Sequence, residues 1–236
     1  MYTTITVTHI LSIRKNCSIN VNNKMRKSKS KSKSSKGWLD RQSKDRYVAD
    51  SKKIGYRSRS AFKLNQIDDK FCLLMPGQKV LDLGSSPGGW SQVITKKIQG
   101  KGSRLIAIDR TEMLPISDVI FINIDLDHEL AKQKIREKLD GLADVIVSDM
   151  SPNTTGSGTT DHLQIMNLCE LALGLVLEFI KPGGAFVVKI FHGSDTPAFY
   201  QKLRGFFTNV RYFKPEASRK ESPEIYLINQ GFLPKK

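Results

Sequence analysis

The chain has 236 residues with 38 Lys/Arg against 23 Asp/Glu, a net charge of +15, and 39% hydrophobic content, enough for one α/β domain with an appendage. Its three cysteines (Cys17, Cys72, Cys169) are scattered and form no C-x-x-C pair or Cys/His cluster, which excludes a disulfide framework and a zinc site and favours a reducing compartment. No apolar run approaches the ~20 residues of a bilayer span, and the charge is lopsided: residues 1–63 hold 17 Lys/Arg against 3 Asp, residues 64–236 hold 21 against 20 Asp/Glu.

In chain order, residues 1–24 are acid-free, rich in Thr, Asn and Ser, and without periodicity; the apolar stretch around Val7–Ile13 is broken and makes a poor secretory signal. Met25 opens the Lys/Ser run 26–36, which buries no core, so residues 1–36 read as a disordered basic extension. Either translation begins at Met25 or residues 1–24 are an organelle transit peptide; the first places the protein in the cytoplasm, the second in the mitochondrion. The basic arm 37–58 interleaves Trp38, Tyr47 and Tyr56 with Arg41, Lys44, Arg46, Lys52, Lys53 and Arg57. Such a pattern suits a polyanionic partner, nucleic acid ahead of an anionic membrane. Its aromatics either stack on bases or dock the arm onto the domain.

Ser58 is placed to cap a helix over 59–74, where Leu64, Ile67, Phe71 and Leu74 fall on one face and Lys63 on its edge. An edge lysine ordinarily reaches solvent. Lys79–Leu83 predicts a buried strand that runs into Gly84-Ser85-Ser86-Pro87-Gly88-Gly89-Trp90-Ser91 and a helix to about Ile98. This glycine loop lacks the Lys-Ser/Thr ending of a phosphate-binding P-loop and the spacing of a dinucleotide fingerprint. It suits a nucleoside cofactor without phosphate, of which S-adenosylmethionine is the commonest; the plainer reading is an ordinary strand-to-helix turn.

Strands over 104–108 and 119–124 end at Asp109 and Asp125, placed for an adenosine ribose and an adenine amino group. A helix over 130–139 precedes a fourth strand, 144–149, ending in Asp149-Met150-Ser151-Pro152-Asn153 and a Gly/Thr-rich loop. A buried helix follows over 161–180. Ala185–Phe191 is an apolar strand with Lys189 in its middle, and a buried ammonium must be paired, used, or both. A helix over 197–207, a strand over 209–213 and a closing strand from Glu224 to Ile228 complete the chain. Alternating strands and helices predict a doubly wound, Rossmann-like, mainly parallel seven-stranded sheet with helices on both faces and ligands beyond the strands' carboxyl ends.

Three segments taken together resemble the FtsJ (RlmE-type) family of ribosomal RNA 2′-O-methyltransferases: Asp82-Leu83-Gly84 with Pro87–Ser91, Ser148–Asn153, and Val187–Phe191. Arg57–Leu64 and Ser218–Tyr226 extend the likeness over about residues 36–232. The resemblance implies a methyltransferase domain over 37–236 and a tetrad of Lys63, Asp149, Lys189 and Glu224, with Lys189 as proton acceptor from the ribose 2′-hydroxyl. It implies S-adenosylmethionine contacts at Gly88, Trp90, Asp109, Asp125 and Asp149, no metal, and a uridine of large-subunit (23S-type) rRNA, on the assembled subunit, as substrate. The expected enzyme is a monomer without a membrane partner. Lys189 serves as base if a second cation and burial lower its pKa, or as a cation that orients the ribose. Two readings compete: 2′-O-methylation of transfer RNA or a messenger cap, and a non-catalytic assembly factor on the same fold. Ser85-Ser86 stands where many relatives carry alanines, a change of no expected consequence.

Overall fold

A computed structural model describes residues 45–234. The start at Met25, the 26–36 run, Trp38, Arg41 and Lys44 lie outside the described residues. The elements are α1 (Arg46–Ile54), α2 (Ser60–Phe71), β1 (Lys79–Leu83), α3 (Gly89–Ile98), β2 (Arg104–Asp109), β3 (Val119–Asn123) and α4 (Ala131–Leu139). They continue as β4 (Ala143–Ser148), α5 (Gly158–Phe179), β5 (Ile180–Phe191), α6 (Thr196–Arg204), β6 (Phe207–Phe213) and β7 (Glu224–Phe232).

The strands form one sheet in the order β3-β2-β1-β4-β5-β7-β6. The first five run parallel; β7 is antiparallel to both β5 and β6. Period-two alternation sorts the core into two layers. Leu81, Leu83, Ile106, Ile108, Ile146 and Phe186 pack with α4, α5 and α6. Val80, Leu105, Val145, Val147 and Val187 pack with α2 and α3. The expected doubly wound architecture is therefore observed. At 22 residues, α5 is long enough to cross a membrane, but its Ile165, Cys169, Ala172 and Val176 are buried against the sheet.

Several boundaries differ from the sequence reading. The predicted helix over 59–74 stops at Phe71, because Cys72 turns left-handed (φ 51°) and the buried Asp68 carboxylate takes the amides of Leu73 and Leu74 at 2.9 and 2.8 Å. Ser58 does not cap it; its hydroxyl pairs with that of Ser60 at 2.7 Å. Asp161 falls inside the first turn of α5 and fastens Thr155 of the preceding loop, at 2.7 Å to its amide and 2.8 Å to its hydroxyl. β5 begins at Ile180, five residues before the expected start at Ala185, with a register shift against β4. Within the arm, α1 forms because Asp45 caps it, accepting the Tyr47 amide at 3.1 Å. Tyr47 and Tyr56 both lie against Phe62 of α2, at ring separations of 5.3 and 5.6 Å. For these two aromatics the docking role is the one the structure displays.

Candidate active site

The carboxyl ends of β1, β2, β3 and β4 open onto a cleft of about 640 Å³, lined in part by Gly84, Ser86, Asp109, Asp125, Asp149 and Met150. Ile108, Ile124, Leu126 and Leu168 supply an apolar wall. Of the glycine loop, Gly84 and Ser86 line the cleft, and Gly88 does not. Gly88 has φ 107°, and a Cβ there would come within 2.8 Å of Ile116 Cδ1 and Met113 Sδ, so a side chain is excluded on both grounds. Asp109 fixes the loop by accepting the Ser86 amide at 2.9 Å and the Thr111 amide at 2.7 Å. Asp125 stands two residues past β3, 3.7 Å from Arg110, which also lines the cleft. Three carboxylates against one guanidinium make the lining unsuited to a phosphorylated nucleotide. They suit a nucleoside bearing positive charge, and S-adenosylmethionine, with its sulfonium and ammonium, is such a ligand.

Trp90 is placed elsewhere. Its indole is 2% exposed, donates from Nε1 to the Ser60 carbonyl at 2.8 Å and tilts against Tyr226. Trp90 is not among the residues lining the cleft; its ring packs beside the site, against Tyr226. Ser85 is buried, its hydroxyl without a partner among the described residues, and Ser86 opens onto the cleft.

Lys63, Asp149, Lys189 and Glu224 do converge, at the edge of this cleft. Lys63, rather than reaching solvent, grips both oxygens of Glu224 at 2.6 and 2.8 Å, each side chain 12% exposed. Lys189, its side chain 6% exposed, donates to the Asp149 carbonyl at 2.7 Å and lies 3.1 Å from its Oδ1. The topology explains the meeting: β7 runs antiparallel, so its first residue, Glu224, pairs with Phe191 at the end of β5, and Tyr226 pairs with Lys189. Burial works against the Asp149 charge, but Lys189, Lys63 and the Tyr226 hydroxyl outweigh it and hold the carboxyl below its ordinary range.

Tyr226 was not singled out by the sequence reading. It is fully buried and donates its hydroxyl to Asp149 Oδ1 at 2.8 Å. Burial, then the Asp149 and Glu224 charges, raise its pKa well above the ordinary phenol value, so it stays a donor. Its signal in the sequence is the two-residue offset from Glu224, which puts both on one face of a strand. Ser218 is a second such residue, donating to Glu224 Oε1 at 2.7 Å.

Beneath the loop lies Asp82, fully buried, one oxygen accepting from Ser91 of α3 at 2.6 Å and the other without a partner among the described residues. Burial, reinforced by the Asp149 and Asp109 charges against the opposing Ser91 bond, pushes its pKa up to about 7. A carboxyl whose folded pKa exceeds its unfolded one contributes stability below the unfolded value and loses it as pH rises through the folded one. Asp82→Asn, which cannot ionise, is accordingly expected to resist urea better than the wild type at pH 8.5, by at most about 4 kcal/mol. The advantage narrows below pH 7. A constant offset from pH 5 to pH 8.5 would contradict the assignment.

Comparison with known proteins agrees with this geometry. Residues 56–232 match the model of a family described as FtsJ-like methyltransferase. The chain is 47% identical over 201 residues to "Ribosomal RNA large subunit methyltransferase E" of Acidiphilium cryptum, covering 85% of this chain and 88% of that one. It is 46% identical over 202 residues to the protein of the same name from Ehrlichia chaffeensis, covering 84% and 94%. Among solved structures, a Plasmodium falciparum protein assigned as a ribosomal RNA methyltransferase superposes with a TM-score of 0.68 at 33% identity, over 76% of this chain and 100% of that one.

Proposed function

The chain belongs to the FtsJ-like methyltransferase family, and from that premise we propose that it moves a methyl group from S-adenosylmethionine to the 2′-hydroxyl of a uridine ribose in large-subunit ribosomal RNA. One observation carries the reading. Asp149 lines the acidic cleft and at the same time fixes Lys189, so the cofactor cleft and the lysine share a residue. The names of the 46–49% identical relatives support the substrate. On this reading Gly84 and the loop that follows it hold the cofactor's amino-acid end, and Asp109 and Asp125 its adenosine. The bound cofactor supplies an already activated methyl group, so the protein's task is alignment of the attacking oxygen.

Lys189 and its neighbours perform that alignment. Of the three donors on an ammonium, Asp149 takes two. The remaining position is free for the ribose oxygen, as a donor that orients it or, once deprotonated, as the acceptor of its proton. Tyr226 keeps Asp149 turned toward Lys189, and Glu224, held by Lys63 and Ser218, faces the same ribose. The enzyme is read as a monomer acting in the cytoplasm on the assembled subunit. Radiolabelled methyl transfer separates the substrates: label is expected in unmodified large subunits and absent from transfer RNA. Label in transfer RNA alone would replace the substrate, and label in neither would leave a binding factor.

A further inference from the structure

Next to the tetrad sits a charge cluster that methyl transfer does not employ. Asp45 Oδ2 takes both Arg59 Nη1 and, at 3.3 Å, Arg219 Nε, while Asp45 Oδ1 is committed to the Tyr47 amide. Two guanidiniums thus share one carboxylate oxygen, and among the described residues no second acid pairs with either. Arg59 uses its other terminal nitrogen on the Ala217 carbonyl. Arg219 uses only Nε: among the described residues neither of its terminal nitrogens has a hydrogen-bond partner; Nη2 is buried, and with the side chain 27% exposed it is Nη1 that remains for a ligand.

The loop presenting Arg219 is built for a fixed position. Lys214 reaches across it to the carbonyls of Lys220 and Ser222 at 3.1 and 2.7 Å, and the Ser222 amide returns to the Arg219 carbonyl at 3.1 Å. Ser218, its neighbour in sequence, donates to Glu224. Arg219 thus directly follows, in a braced loop, the residue that holds Glu224 of the tetrad. The two lysines and two acids of the tetrad balance one another, whereas Arg59 and Arg219 share the single carboxylate of Asp45.

We infer that Arg219, oriented by Asp45 beside Arg59, is an anion site that takes a phosphodiester of the RNA strand flanking the target ribose. This inference rests on the reading of the chain as an RNA ribose methyltransferase. With Nε on Asp45 and Nη2 buried, Nη1 is the donor that meets the phosphate, and each phosphate neutralised releases counterions, which makes binding depend on salt.

Arg219→Gln keeps most of the stem and the contact with Asp45 but removes the charge; Asp45 retains Arg59 in either case. Affinity of wild type and variant for unmodified large-subunit RNA is measured across a salt series, beside cofactor affinity by calorimetry and methyl transfer to the same RNA. The variant is expected to bind RNA about tenfold more weakly at low salt, with the log–log salt slope shallower by roughly 0.7–0.9. Its KM for RNA rises about as much, while cofactor affinity stays within about twofold of wild type. Arg219→Lys, which keeps the charge, restores most of the slope. An unchanged slope, or a loss of cofactor affinity equal to the loss for RNA, overturns the site in favour of a structural role. If wild type itself labels no RNA, it is the proposed function that falls, and RNA binding with its salt slope still judges the anion site.

Discussion

Lys189→Met is expected to lower the methyl-transfer rate by about 10²–10⁴-fold while cofactor affinity stays within about twofold of wild type. The Nζ is the atom at stake. It has two fixed contacts, the Asp149 carbonyl and carboxylate, and it does not line the cofactor cleft. Removing it deletes the group proposed to meet the ribose oxygen while Asp149 keeps Tyr226 and the charge of Lys63. Breaking a buried ion pair costs up to about 3–5 kcal/mol, and these two remaining partners reduce that figure here. Lys189→Arg, which preserves the charge, controls for folding: it should retain the fold and still be slow, since a planar fork cannot reproduce the position of one ammonium. Calorimetry with S-adenosylmethionine and single-turnover transfer to unmodified large subunits measure the two quantities. Normal turnover in Lys189→Met would remove the residue from the chemistry. The pH–rate profile of wild type then separates its two roles, because a basic limb that disappears with Lys189 marks proton removal, and its absence marks orientation.

Asp149→Asn should impair more than one step, because Asp149 belongs to both the cleft and the tetrad. Cofactor affinity and turnover are expected to fall together, each by at least about tenfold, and the variant should be less stable at pH 7 by up to about 3–5 kcal/mol. Lys189 is then left as a buried cation without its carboxylate. The pH dependence has a definite sign. Asp149 titrates below its ordinary value in the folded protein, so its stabilisation is present above the unfolded carboxyl value and disappears as pH falls through the folded one. The gap between wild type and Asp149→Asn should narrow in strong acid. Asp82, whose shift is opposite, gives the reverse trend nearer neutrality. Urea titrations at several pH values distinguish them. A variant with intact cofactor affinity but no turnover would confine Asp149 to the tetrad.

The glycine loop, Asp109 and the buried Lys189 strand were legible in the sequence because each is a local pattern. An apolar run that ends in glycines or an acid is a strand end whatever surrounds it, and a lysine among Val187, Val188, Ile190 and Phe191 must find a partner. Alternating strands and helices determined the doubly wound class in the same way. Helix ends were less accessible: Asp68 stopped α2 early through a carboxylate that reads, in sequence, like any solvent-facing acid. Trp90 bears an aromatic signature that suits a cofactor contact as well as a packed ring, and burial put its indole under the tetrad.

The sequence by itself determined a strand–loop–helix unit, of a kind that suits a nucleoside, and its likeness to a family named the four tetrad residues. What brings the four together is tertiary. Lys63 and Glu224 are 161 residues apart, Tyr226 and Asp149 77, Arg219 and Asp45 174. No periodicity of 2 or 3.6 spans such separations. The antiparallel insertion of β7 between β5 and β6 turns the start of the last strand toward the carboxyl edge of the parallel ones. It is that reversal, a property of the assembled sheet, that sets Glu224 and Tyr226 opposite the lysines and carries the loop with Arg219 to the edge of the site.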